Sequence, residues 1–193
     1  MELAPYQGIF VVFRKPTSDT RLDGNNYTNY EVLKTLDSSW SLHFDPKLGG
    51  PEKPIIYKSL QDLTTSSVPE IKYYSGAVVY RKEFDLDKIS KEKLFLDLGT
   101  VHDLATIRLN GNDLGTVWCA PWRLDISEYC KTKGNVLEIE VTNTWWNRLV
   151  YDASLPEKER ITKTNIGFSP TSGLMPSGLI GPVTIKKEDT SKP

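Results

Sequence analysis

LFLDLGTVHDLATIRLNGNDLGTVWCAPWRLDIS, residues Leu94 to Ser127, carries the densest structural signal in the chain. Ala105, Ile107 and Leu109 alternate with Thr106 and Arg108. That is the two-residue period of a strand with one face in a core and the other in water. Asn110-Gly111 follows, and both residue types tolerate the positive φ of a tight hairpin turn. With the apolar Leu114 and Val117 beyond it, the dipeptide predicts an antiparallel hairpin.

Working outward, similar patterns predict strands at Trp40 to Phe44, Ala77 to Phe84, Leu94 to Leu98, Val136 to Asn143 and Val183 to Ile185. They are short and separated by Gly, Pro and Asn clusters. Helical periodicity is almost absent outside a turn at Ile126 to Lys131, so the pattern is that of an all-β sandwich. Gly8 to Arg14 (GIFVVFR) differs, being a continuous apolar run of the kind buried on both faces of a sheet. It either pairs within this sandwich or belongs to another sheet. The polar stretch from Lys15 to Asn29, with Pro16, Asp23-Gly24 and Asn25-Asn26, reads as a surface connection. We therefore expect residues 1–30 to be a strand and linker left from a preceding domain, and residues 31–193 to be the sandwich.

The chain has 193 residues, 38% hydrophobic and 10% aromatic, enough for one real core with an appendage. Its net charge of −1, with both signs interspersed, offers no basic surface for nucleic acid or anionic membranes. No apolar run approaches the roughly 20 residues of a membrane helix, so no membrane insertion is expected. Met1-Glu2 lacks the basic start and apolar stretch of a secretory signal.

Hydrolysis by paired carboxyl groups needs two acids flanking the bond to be cleaved, one held protonated. The sequence shows no such pair. Glu138 and Glu140 alternate with Leu137, Ile139 and Val141, which puts them on the solvent face of a strand. Asp85, Asp87, Asp97 and Asp103 stand at predicted strand ends, where carboxylates accept turn hydrogen bonds. His43 and His102 have no metal-ligand spacing, and no nucleophile motif is evident. Cys119 and Cys130 leave a disulfide open, since sequence does not give their separation.

Leu109-Asn110-Gly111, Gly115, Trp118 to Trp122 and Asp125-Ile126-Ser127 resemble the sugar-binding β-sandwich domain of family 2 glycoside hydrolases. Tyr73-Tyr74-Ser75-Gly76, Val141 to Leu149 (VTNTWWNRL), Asp152, Leu155-Pro156 and Gly173 to Val183 (GLMPSGLIGPV) are similar to the C-terminal end of large bacterial α-L-rhamnosidases of glycoside hydrolase family 106. The resemblance covers most of the chain. It implies a galactose-binding-like jelly roll that docks on, and shapes, a catalytic domain. It also implies a periplasmic or extracellular parent protein, so Met1 is expected to start a piece of it, with Ile9 to Phe13 closing the preceding β-domain. Structural calcium occurs in such modules, held by loop carbonyls that leave no motif, so no cofactor site is assigned.

Recognition of carbohydrate remains. Sugars present apolar C–H faces rimmed by hydroxyls, which flat aromatic rings and Asn, Asp or Arg side chains bind together. Asn143 to Asp152 (NTWWNRLVYD) supplies that mixture, with Asn143 at the sheet rim and Trp145, Trp146, Asn147 and Arg148 in the adjoining loop. Trp118 and Trp122 flank Cys119-Ala120-Pro121 in a second loop. The competing expectation is structural: the tryptophans pack as lids and Arg148 pairs with Asp152. Three functions stand: an accessory module packed on a hydrolase, an autonomous carbohydrate-binding module, or a small catalytic domain, in that order. The first requires a large exposed apolar patch. The second requires an open ring face on Trp145 or Trp146.

Overall fold

The longest alternating stretch forms β10 (Asn135–Thr142), in which Leu137, Ile139 and Val141 are buried while Val136, Glu138 and Glu140 are half-exposed. This is seen in a computed structural model that describes residues 3, 6–16, 29–89 and 91–189. β10 runs antiparallel between β4 (Ala77–Phe84) and β7 (Leu104–Leu109), setting Ile139 against Tyr80 on one side and Ile107 on the other. A one-residue slip would turn this apolar row outward, so burial fixes the register. β8 (Asn112–Val117) extends the sheet beyond β7, while β2 (Trp40–His43) and β3 (Ile55–Tyr57) extend it beyond β4. The β7–β8 hairpin turns at Asn110 and Gly111, with φ of 54° and 82°, the left-handed pair that the sequence predicts. Asn110 also uses its side chain, donating to the Tyr129 carbonyl (2.7 Å) and accepting from the Val136 amide (2.9 Å).

A second antiparallel sheet takes the order β1 (Tyr30–Thr35), β12 (Thr184–Glu188), β5 (Leu94–Asp97), β9 (Arg123–Asp125). A two-stranded pair, β6 (Thr100–His102) with β11 (Gly178–Gly181), completes the β structure among the described residues. Leu94, Leu96 and Ile185 from one sheet and Trp40, Leu42, Tyr80, Ile107 and Ile139 from the other belong to one hydrophobic core. The chain is thus an antiparallel β-sandwich, as its strand pattern predicts. β3, β6 and β9 have three residues each and β1 is a mostly exposed edge, so neither length nor alternation reveals them in the sequence.

One expectation is corrected. The stretch after Trp145 is not a loop: Trp146–Ala153 forms helix α2, the one-turn helix α1 (Pro69–Lys72) lying before β4. Its buried positions are Asn147, Arg148, Val150 and Asp152, three of them polar, so a search for an apolar helical stripe misses it. The turn at Ile126 to Lys131 is present without a helix, with the Tyr129 and Cys130 amides both donating to the Ile126 carbonyl.

Ile9 to Phe13 form no strand within this sandwich, and Phe10 and Phe13 are 99% and 93% exposed. Most of the predicted connection, residues 17–28, lies outside the described residues. Both cysteines are free, Cys119 exposed and Cys130 buried. Burial pushes the Cys130 thiol up to about 11, so little thiolate forms there at neutral pH. A thiol-reactive dye should therefore label one cysteine in the native chain and two after unfolding; two rapid equivalents without denaturant would contradict this burial.

Candidate functional site

The polar residues of the Asn143 to Asp152 segment converge at one end of the sandwich. Asn143, just past β10, accepts from the Gly76 amide (2.7 Å) and donates to the Tyr74 carbonyl (2.9 Å) and the Ser177 hydroxyl (2.5 Å). One side chain thereby joins the end of β10, the approach to β4 and the approach to β11. Asn147 is 3% exposed and grips the Met175 backbone, donating to its carbonyl and accepting from its amide, both at 2.8 Å. The Arg148 amide donates to the Ser75 hydroxyl at 3.1 Å.

Arg148 and Asp152 are four residues apart and meet across one helical turn, with Nη2 2.6 Å from Oδ1. This oxygen has the guanidinium charge beside it but no well-aligned hydrogen bond, and Arg148 Nε has none either. The other Asp152 oxygen accepts from the Thr162 amide (2.8 Å) and hydroxyl (2.5 Å). Burial acts to raise the Asp152 pKa, but the Thr162 hydrogen bonds and the Arg148 charge outweigh it and hold the carboxyl below its usual range. Asp152 is therefore an anion fixed in place, without the raised pKa that a glycosidic general acid needs.

The aromatics divide. Trp146 is half-buried, donates to the Gly173 carbonyl at 2.8 Å and meets Phe168 edge-on at 5.5 Å. Trp145 is 45% exposed and borders a hollow of about 440 Å³ shared with Leu149, Ile161 and Thr162 to Thr164. Trp122 is half-buried against the core, whereas Trp118 is 74% exposed. The eight sequence candidates thus separate. Asn143, Asn147 and Asp152 hold backbone, Arg148 pairs with Asp152, Trp146 and Trp122 pack, and Trp145 and Trp118 open to solvent.

The sequence reading missed the partners Ser75, Thr162, Met175 and Ser177, which lie up to 73 positions from the residues they bind. Only the four-residue spacing of Arg148 and Asp152 signals the helix in advance. Three of the strand-end acids, Asp85, Asp97 and Asp103, are structural. Asp97 accepts from Arg123 (3.1 Å) and Lys186 (2.7 Å), tying β5 to β9 and β12. Asp103 accepts from the Thr144 amide, and Asp85 from the Gly134 amide and Lys133. Among the described residues no group of three or more His, Cys, Asp or Glu could hold a metal ion, and no helix is long and apolar enough to cross a membrane.

Comparison with known families places this architecture. Residues 60–172 match the model of the glycosyl hydrolase 2 galactose-binding domain-like family. The chain belongs to that family. The match runs from before β4 through α2 to residue 172, so it includes the Asn143 to Asp152 segment with its partners Tyr74, Ser75, Gly76 and Thr162, and stops just before Met175 and Ser177. The domain is 40% identical over 124 residues to a Formosa agariphila protein named "Putative beta-glucuronidase", covering 63% of this chain and 11% of that protein. It superimposes on a rhamnosidase from Novosphingobium sp. PP1Y with a TM-score of 0.82 and 39% identity, over 91% of this chain and 17% of that one. A Ruminococcus gnavus β-glucuronidase shares the fold at a TM-score of 0.59 and 19% identity, over 86% of this chain and 30% of that one. The domain therefore spans only a small part of the relatives it matches.

Proposed function

We propose that this domain is a non-catalytic accessory, carbohydrate-binding-like module near the C-terminus of a larger α-L-rhamnosidase-like glycoside hydrolase of family 106, seated against the catalytic domain. What supports this most is how the signature residues are used. Asn143, Asn147, Arg148 and Asp152 spend their polar groups on holding α2 and the return chain that follows it. That return chain carries exposed Ile161, Ile166 and Met175, and Ile161 shares a hollow with exposed Trp145. A rigidly held surface with apolar tips is suited to docking rather than to chemistry. The rhamnosidase and β-glucuronidase relatives are several times longer than this chain, which leaves room for such a catalytic partner. The exposed Ile9 to Phe13 run fits a strand completing the sheet of a preceding domain. Location in the periplasm or outside the cell belongs to the same proposal.

The isolated chain is then expected not to hydrolyse an aryl α-L-rhamnoside. In the parent enzyme, Trp145→Ala with Ile161→Asp should lower both melting temperature and rhamnoside turnover, the latter by about tenfold through misplacement of the docked domain. The same pair should leave the melting of the isolated chain nearly unchanged. A parent enzyme indifferent to it would overturn the docking assignment, and turnover by the isolated chain would overturn the non-catalytic one.

The open face of Trp145 favours a second reading, an autonomous carbohydrate-binding module. Calorimetry of the isolated chain against rhamnose- and galactose-containing oligosaccharides separates the two: binding abolished by Trp145→Ala supports the second, and absence of binding the first.

A further inference from the structure

Sharing Leu149 and Thr162 to Thr164 with the hollow beside Trp145, α2 and the return chain line a larger cleft of about 770 Å³, within the usual range of small-molecule sites. Its walls are anchored. Asp152 pins Thr162, the Thr164 hydroxyl accepts from the Ile166 amide, and Phe168 rests edge-on against Trp146. Its charge is uneven. Asp152 is neutralised by Arg148, which leaves Arg160 and Lys163 facing the single carboxylate of Glu157, an excess of one positive charge. Arg160 uses Nε on the Leu155 carbonyl at 3.0 Å. Among the described residues its terminal nitrogens and Lys163 Nζ are in no ion pair. Asn165 adds an amide to the lining, and Leu149 and Phe168 add apolar surface.

We propose that this cleft binds a glycan unit bearing a carboxylate, a uronic acid, with Arg160 and Lys163 on the carboxylate, Asn165 on a hydroxyl, and Leu149 and Phe168 against the C–H face. The proposal rests on reading the chain as part of a glycan-processing protein. It adds the class of sugar and places it in the larger cleft, which shares Leu149 and Lys163 with the hollow beside Trp145. A planar guanidinium and an ammonium lining one cleft suit a carboxylate far better than a neutral hydroxyl rim.

The test is titration of the isotopically labelled 193-residue chain with methyl β-D-glucuronide, methyl β-D-glucoside and sodium acetate, followed by NMR. The glucuronide is expected to shift the signals of Arg160, Lys163 and Asn165 saturably. Its affinity should fall about tenfold in Lys163→Ala and again at high salt, since one charge-assisted contact is lost and the other screened. Lys163 is exposed, so that variant should fold normally; Arg160→Gln provides the second test. Equal shifts from the neutral glucoside, equal shifts from acetate, or no shift at these residues would each overturn the proposal. None of these outcomes depends on docking to a catalytic domain, so the two proposals fail separately.

Discussion

Asp152→Ala is expected to lower the unfolding free energy by about 3–5 kcal/mol, the range found when one member of a buried ion pair is removed. The side chains of Arg148 and Asp152 are 9% and 3% exposed, and their contact is 2.6 Å. Without the carboxylate, the Arg148 guanidinium stays buried with no counter-charge, and its Nε already lacks a partner. The Thr162 amide and hydroxyl lose their acceptor in the same step, so the return chain is released as well. The drop should appear as a lower urea midpoint with little change in slope. Arg148→Met with Asp152→Leu removes both charges and should cost less than Asp152→Ala alone, because it leaves only the Thr162 donors unsatisfied, about 1–3 kcal/mol. A single-variant loss below about 1 kcal/mol, typical of surface pairs, would show that the pair is solvated.

The same residue carries a pH signature. The Asp152 carboxyl is held below its ordinary value when folded, so the stability it contributes is present above its unfolded pKa and lost as pH falls through the folded one. Asp97 behaves alike: burial acts upward, but Lys186, the Gly99 amide and Arg123 pull its pKa below the usual range. Stability should therefore hold from neutral pH to about 5 and decline below about 4, where an unfolded aspartate protonates. Asp152→Ala should shallow that decline. An unchanged acid limb would show that Asp152 is not held as an anion in the folded chain.

What the sequence made legible follows from range. The Asn110-Gly111 hairpin and the β10 alternation are local signals, readable within a few residues, and both stand as predicted. The segment resembling family 106 enzymes also names the residues that converge at the sandwich end. Their roles were not legible, because Asn143 meets Ser177 and Arg148 meets Ser75 only after the strands have paired. Helix α2 hid for a different reason: its inward face is polar, satisfied by partners from distant segments rather than by an apolar stripe. Trp118 and Trp145 illustrate the remaining gap, since composition marks an aromatic as important without telling a lid from an open platform.

Gly99→Ala is the other large effect, expected to cost about 3 kcal/mol or more by joining left-handed backbone strain to overpacking. Gly99 has a φ of 68°, and a Cβ placed there would lie 2.4 Å from the carbonyl carbon and oxygen of Gly181 and 2.7 Å from Pro182 N. Those are backbone atoms, which cannot swing aside as a side-chain tip can. Gly99 and Gly181 form a parallel bridge where the chain leaving β5 passes the end of β11, so a shift at either propagates into both. Gly115→Ala is the control, since Gly115 also has positive φ (91°) but nothing within 4 Å of its Cβ position. It should show the strain alone, about 1–2 kcal/mol. The difference between the two variants measures the close approach itself, and a match between them would leave position 99 with no need for glycine beyond its positive φ. If Gly99→Ala instead yields no folded protein while Gly115→Ala melts only slightly early, this crossing is a point on which the four-stranded sheet and the β6–β11 pair both depend.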